Sequence, residues 1–289
     1  MAMMVATTGA TATAPPAKPN VLYLIADDMR ADVHALTDSP TVTPNLDKLA
    51  ARSLIFERAY CQISVCSPSR MSFLNSRRPD TFKVWNFIDY VPTNVTAVPR
   101  HFRDHGYLTL GLGKGFHEDQ GAWNAAENWT PDTGANAGYP YYPYQGGKCT
   151  YHGKPSGGEG GGHCAQDDTQ IYGWHLMNRT VAYLKHAAAV RRATGQPFFI
   201  LSGFKKPHAP WNVPQRMYDL YPDTGAIAPA KHDTLPDGTP LIAWSDQLTV
   251  MLANGTTFPY GPRKPVPRYA ALRRRMKVAS RSNVRWLYA

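Results

Sequence analysis

Three runs of the chain are mostly apolar over strand length: Asn20 to Ala26, Tyr107 to Leu112 with Thr109 inside it, and Phe198 to Phe204 with Ser202 inside it. Apolar residues at successive positions predict strands covered on both faces, the habit of parallel sheets packed between helices. A fourth stretch, Ser53 to Tyr60, reads as a further strand. Between these runs the apolar spacing changes to that of helices. Thr43-Pro44 opens one, with Thr as cap and Leu46, Leu49 and Ala50 as its inner face. Pro99 to His105 forms a short one stopped by Gly106. Asp168 to Arg192 forms a long one, with Ile171, Trp174, Leu176, Val181 and Leu184 to pack and Gly195 and Pro197 ending it. Strands alternating with helices predict an α/β domain. After His208 the chain is Pro-rich and loop-like as far as Pro262.

Each of the three apolar runs stops at charged residues. The first ends in Asp27-Asp28, the second in Gly113-Lys114-Gly115-Phe116-His117, the third in Lys205-Lys206-Pro207-His208. In a parallel sheet these carboxyl ends share one edge, where open α/β folds bind ligands. Paired carboxylates suit a hard cation, and Asp-Asp is equally at home opening a turn. Gly113 and Gly115 permit a tight turn, without the spacing or the Ser/Thr of a phosphate loop. Taken singly, each His reads as a surface or capping residue. Taken together, the three ends supply an anionic cradle for a metal and cations for an oxyanion.

Val65 to Arg70, followed by Met71-Ser72-Phe73-Leu74, adds a nucleophile. Pro68 suits the first turn of a helix and Ser67 before it is a good N-cap. Cys66 then sits just outside a helix N-terminus, where free N–H groups favour anions and thiolate over thiol. The plain alternatives are a small buried cysteine or half of a disulfide. Arg70, one turn on, returns to the same helix end.

Composition adjusts this picture in two places. The net charge of +10 comes from the end of the chain: residues 263–289 hold nine of the 31 Lys and Arg and no acid, leaving 22 basic against 21 acidic residues elsewhere. A neutral body with a basic tail argues against a nucleic-acid surface. No run of eighteen apolar residues exists, so no membrane span is expected. Residues 1–18, rich in Ala, Thr and Pro, have no long apolar core and read as a disordered lead-in rather than a signal peptide. Cys149 and Cys164 bracket the Gly-rich run at 157–162, and a disulfide there would contribute about 3 kcal/mol by the chain-entropy estimate. Asn-x-Ser/Thr acceptors at Asn94, Asn128, Asn178 and Asn254 lean, with that pairing, toward a secretory route. The Tyr/Pro-rich stretch 138–144 reads as a surface loop, with a rim for sugar rings as the other reading.

Cys66-Ser67-Pro68-Ser69-Arg70 resembles the modification signature of type I sulfatases, a family of the alkaline-phosphatase-like superfamily. The likeness runs from Pro19 to about Pro262. It is carried also by Leu24 to Arg30, Arg77-Arg78-Pro79-Asp80-Thr81, Gly113 to His117, Lys206 to Pro210 and Pro259-Tyr260-Gly261-Pro262. Within the family it points to the iduronate-2-sulfatase branch. The resemblance implies a three-layer α/β/α fold with a mainly parallel sheet, incomplete at the C-terminus, with residues 263–289 outside it. It implies that a formylglycine-generating enzyme oxidises Cys66 to formylglycine. One hydroxyl of the hydrated aldehyde then attacks sulfur, and the other expels sulfate and restores the aldehyde. Asp27, Asp28 and modified Cys66 would bind one Ca²⁺. Arg70, Lys114 and Lys206 would steady the sulfate, His117 would help the diol collapse, and His208 would serve the leaving oxygen or a uronate carboxylate. The substrate would be a sulfated, uronic-acid-containing polysaccharide, and the compartment lysosomal or extracellular. The Cys149–Cys164 loop matches a disulfide loop of the branch.

Two departures bear on activity. Asn75-Ser76-Arg77 stands where the family has Thr-Gly-Arg, which assists the modifying enzyme. The family's later Asp-His metal ligands and a further Lys have no counterpart; Asp104-His105-Gly106 lies at a helix end where the family has no ligand. A Ca²⁺ ion takes roughly six to eight oxygens, so an impaired hydrolase is the expectation. An inactive truncated product and a non-catalytic sulfated-glycan-binding remnant are the alternatives.

Overall fold

The computed structural model describes residues 18–37, 39–85, 95–117, 126–131, 150–151, 154–155, 168–208, 213–218 and 220–221. Residues 1–17 of the lead-in, the 138–144 stretch, Cys149, Cys164, the glycine run, Asn94, Asn254, the segment 259–262 and the basic tail lie outside them.

The chain runs β1 (Val21–Asp27), α1 (Pro44–Ala50), α2 (Cys66–Asn75), α3 (Pro79–Phe82), α4 (Val98–Asp104) and β2 (Leu108–Gly113). A small hairpin of β3 (Thr150–Tyr151) and β4 (Lys154–Pro155) follows, then α5 (Tyr172–Thr194), β5 (Phe198–Pro207) and α6 (Gln215–Tyr218). The three long strands form a parallel sheet in the order β1-β5-β2. Alternating side chains of β5 divide the core. Phe199 and Leu201 pack with Met71, Leu74, Phe82 and Tyr107 on the face covered by α2, α3 and α4. Phe198 and Ile200 pack with Leu108, Leu110, Leu112 and Leu176 on the face covered by α5. Each such side chain contributes about 1.5–3 kcal/mol by burial. The α/β layering is the one the sequence predicts. Among the described residues no helix is long and apolar enough to cross a membrane.

Five readings are corrected. The strand β1 is covered on one face only: Val21, Tyr23 and Ile25 pack inward, while Leu22 and Leu24 are 41% and 51% exposed. The reason is what covers the face: α5 packs on β5 and β2, and β1, at the far edge of the sheet, lies beyond it. No strand forms over 53–60. Leu54, Phe56 and Tyr60 are 80%, 75% and 80% exposed, for an apolar run without a partner strand gains nothing by extending. Helix α1 starts where Thr43-Pro44 places it, yet Leu46 and Leu49 are exposed. Thr43 Oγ1 donates to Asp47 Oδ1 over 3.1 Å instead of capping the backbone. On α5 the buried stripe is Leu176, Thr180, Tyr183 and Ala187, and Val181 faces solvent. Finally, α2 begins at Cys66 rather than after it. Val65 is the extended cap residue and its carbonyl accepts the first helical bond from Ser69 N at 3.0 Å, so Cys66 and Ser67 precede Pro68 inside the first turn.

Asn128 is also not a glycan acceptor in this fold. It is buried, its carbonyl accepts from Thr109 Oγ1, and Thr130 Oγ1 accepts from Thr109 N. At the end of α2, Ser76 takes a left-handed φ of 54°. That is a glycine position, which accounts for the family's Gly there and costs a Ser roughly 1 kcal/mol.

Two glycines set the strand ends. A Cβ on Gly203 would lie 2.1 Å from the Lys114 carbonyl oxygen, and one on Gly113, whose φ is +64°, would lie 2.3 Å from the Gly203 carbonyl oxygen. Backbone cannot yield as a side chain end can. Gly203→Ala is therefore expected to lower the urea midpoint by the equivalent of about 1–3 kcal/mol, measured by circular dichroism; an unchanged midpoint would show that the two strand ends separate freely.

Candidate active site

The edge predicted from the three strand ends exists, and the helix carrying Cys66 meets it. Asp27, at the end of β1, is 3% exposed. Its Oδ1 accepts from Arg70 Nη2 at 2.7 Å and its Oδ2 from Lys114 Nζ at 2.5 Å. Arg70 and Lys114 are themselves buried, so one carboxylate joins β1, α2 and the end of β2. Asp28 follows with φ 58°, a left-handed turn that Asp tolerates better than most residues. It directs the second carboxylate outward, with Oδ2 3.7 Å from His208 Nε2.

Cys66 Sγ lies 3.6 Å from Asp27 Oδ1 and 3.7 Å from Asp28 Oδ1, close enough for its S–H to donate to either. Burial pushes this thiol up to about 11, with Asp27 and Asp28 adding to the rise against Lys114 and Arg70. The expectation of a thiolate is corrected. A helix terminus stabilises an anion by about 1 kcal/mol or less when exposed, and desolvation beside two carboxylates outweighs it here.

Arg70 has a second task. Its Nη1 donates to the carbonyls of Lys114 and of Gly115, the latter at 2.9 Å, and its Nη2 to Asp27. Three of the five guanidinium N–H groups thereby hold three chain segments together. A sequence shows neither of those carbonyls. The glycine in β5, unusual inside a strand, was the one signal of the close approach.

In β5 the register slips. Ala26 pairs with Phe204 but Asp27 with Pro207, so Lys205 and Lys206 bulge from the ladder where the strand leaves the sheet. Lys206 Nζ donates to the His208 carbonyl at 3.3 Å. Burial, helped by Lys205, brings its ammonium down to about 8. His117, half-buried, follows β2 on the same edge. Asp104 and His105 end α4 elsewhere, His105 Nδ1 lying 2.7 Å from the His101 carbonyl.

Burial alone would raise the Asp27 carboxyl, but Arg70 and Lys114 outweigh it and hold it below the usual carboxylate range. A depressed carboxyl stabilises the fold above its unfolded-state value, about 3.9, and that stability is lost as pH falls through the folded value. Acid unfolding is expected to start below about pH 4 and to lose this component in Asp27→Asn, as read from urea midpoints across pH 2–6.

The donor set was tested for a divalent ion. Sγ of Cys66, a carboxylate oxygen of Asp27 and a ring nitrogen of His208 lie within 4.8 Å of one another. With residue 66 as a hydrated aldehyde, its oxygens and those of Asp27 and Asp28 fit one side of a hard cation's shell. His208 is a candidate ligand that sequence reasoning placed only beside the leaving group.

The parallel sheet with helices on both faces is a fold shared with solved hydrolases. The chain superposes on the crystal structure of phosphonate monoester hydrolase of Agrobacterium radiobacter with a TM-score of 0.52 and 17% identity, covering 73% of this chain and 45% of that one. On phosphonate monoester hydrolase SpPMH from Silicibacter pomeroyi the TM-score is 0.51 and the identity 22%, covering 73% and 46%. The Sulfatase family model matches residues 19–270, and the chain belongs to the sulfatase family. It is 31% identical to iduronate 2-sulfatase of Homo sapiens over 256 residues, covering 84% of this chain and 46% of that protein. A sulfatase of Formosa agariphila is 27% identical over 242 residues, covering 78% and 46%. The chain thus spans less than half the length of these relatives.

Proposed function

We propose that this chain carries the nucleophile-bearing part of a sulfuric ester hydrolase that removes sulfate from a uronic-acid-containing polysaccharide, in the manner of iduronate 2-sulfatase. The carrying observation is the meeting of Cys66 with Asp27 and Asp28 across 39 and 38 residues of sequence. A thiol at about 11 is a poor nucleophile near neutral pH, which supports oxidation of Cys66 as the activating step. Formylglycine, once hydrated, supplies the hydroxyl that attacks sulfur and the one that expels sulfate. Asp27, Asp28 and residue 66 would hold a Ca²⁺ ion, which would supply positive charge for the ester oxygens.

The chain's own residues do the rest. Arg70 and Lys114 fix Asp27. Arg70, Lys114 and Lys206 against Asp27 and Asp28 leave one positive charge among the side chains, to which a bound divalent ion would add two. His117 and His208 stand ready to move protons at the diol and at the leaving oxygen. The reading also places the protein in a lysosome or outside the cell.

Mass spectrometry of the peptide containing residue 66 is expected to give the formylglycine mass, and Ca²⁺ to raise release of sulfate from a sulfated uronide. An intact thiol on secreted material would remove the reading. Because Lys206 loses its proton near 8, inhibition by inorganic sulfate should weaken as pH rises from 7 to 9, measured as the change in inhibition constant; a flat profile would take Lys206 out of the anion site.

A further inference from the structure

The side chains encoded at this edge are not those of a purely hard-cation site. A thiol, an imidazole and a carboxylate together are the donors of zinc, whose borderline softness accepts sulfur and nitrogen. The geometry agrees. Tetrahedral coordination with Zn–S of about 2.3 Å and Zn–O of about 2.0–2.2 Å separates the sulfur from the oxygen by about 3.5–3.7 Å. Cys66 Sγ and Asp27 Oδ1 are 3.6 Å apart. A His208 ring nitrogen completes three ligand atoms mutually within 4.8 Å, and Asp27 is buried while Cys66 and His208 are half-buried. The bonds from Arg70 and Lys114 already orient the Asp27 carboxylate, as ligating carboxylates require.

We propose that the unoxidised chain binds one zinc ion through Cys66, Asp27 and His208, with the fourth position open to water. Oxidation of Cys66 by the formylglycine-generating enzyme, with dioxygen as oxidant and the sulfur leaving as sulfide, therefore also replaces the soft donor at residue 66 by oxygen and ends the site's preference for zinc. Binding is a ligand exchange without redox change: the ion takes the Sγ electron pair as the S–H proton leaves to solvent, one proton per ion. Zinc and formylglycine exclude each other, because oxidation removes the sulfur. The zinc site stands on geometry and donor chemistry; only the switch rests on the sulfatase reading.

Cobalt(II) reports on it. The full chain, with thiol at residue 66 verified by mass spectrometry, should take up one cobalt with a thiolate-to-metal charge-transfer band, displaced by an equivalent of Zn²⁺ and not by excess Ca²⁺. The band should vanish in Cys66→Ala, persist in Cys61→Ala, and need about tenfold or more cobalt in His208→Gln. Circular dichroism of Cys66→Ala, and Cys66→Ser as a second variant, separates ligand loss from misfolding. Absence of the band in the parent chain, or its survival in a folded Cys66→Ala chain, overturns the proposal. Either result leaves sulfate release by oxidised chain untouched, and failure of that release leaves the cobalt result standing.

Discussion

Replacing Asp27 by Ala lowers the free energy of unfolding by about 3–5 kcal/mol. The size follows from what is left behind rather than from what is removed. Arg70 and Lys114 have side chains 3% and 5% exposed, and both lose their counter-charge at once. Each cation must then sit unpaired in the interior or drag its segment toward water. Arg70 retains the Lys114 and Gly115 carbonyls, so the loss is partial and α2 stays anchored. Urea unfolding followed by circular dichroism measures the difference, with an unchanged slope showing that the denatured state is the same. A loss under 1 kcal/mol would mean that water reaches both cations and that the edge is looser than described.

Under the proposed sulfatase reading, replacing Cys66 by Ala should lower sulfate release by about four to six orders of magnitude, the range found when a covalent nucleophile is deleted. An alanine keeps the β-carbon but lacks the C–S bond that the oxidation breaks, so no aldehyde forms and neither the attacking nor the expelling hydroxyl exists. The cations that remain still attract an anion. Sulfate inhibition should accordingly survive while turnover does not, and the urea midpoint should move by less than about 1 kcal/mol. Cys61→Ala is the control, since Cys61 is an exposed free thiol on the segment before α2. Turnover within tenfold of the parent in Cys66→Ala would exclude covalent catalysis at this position.

What was legible in the sequence was whatever a run of side chains specifies locally. Asn20 to Ala26, Tyr107 to Leu112 and Phe198 to Phe204 are mostly apolar, and all three became parallel strands. Their charged ends therefore had to share one edge, and the meeting of Cys66 with Asp27 and Asp28 followed. Leu54 to Phe56 has the same local look and no strand beside it, so the same rule failed there. Leu46 and Leu49 lie on one side of α1, but periodicity names a face without saying what covers it. The charge state of Cys66 and the occupation of Arg70 depended on burial and on carbonyls 44 and 45 residues away, which no local pattern records.

The outer side of β1 has a consequence for anyone handling the protein. Its backbone N–H and C=O groups on that side have no strand partner among the described residues, and Leu22 and Leu24 stand beside them. Such a border recruits any extended chain that drifts past, including another molecule of the same kind. Crowding, more than heat, would decide how long a preparation stays clear.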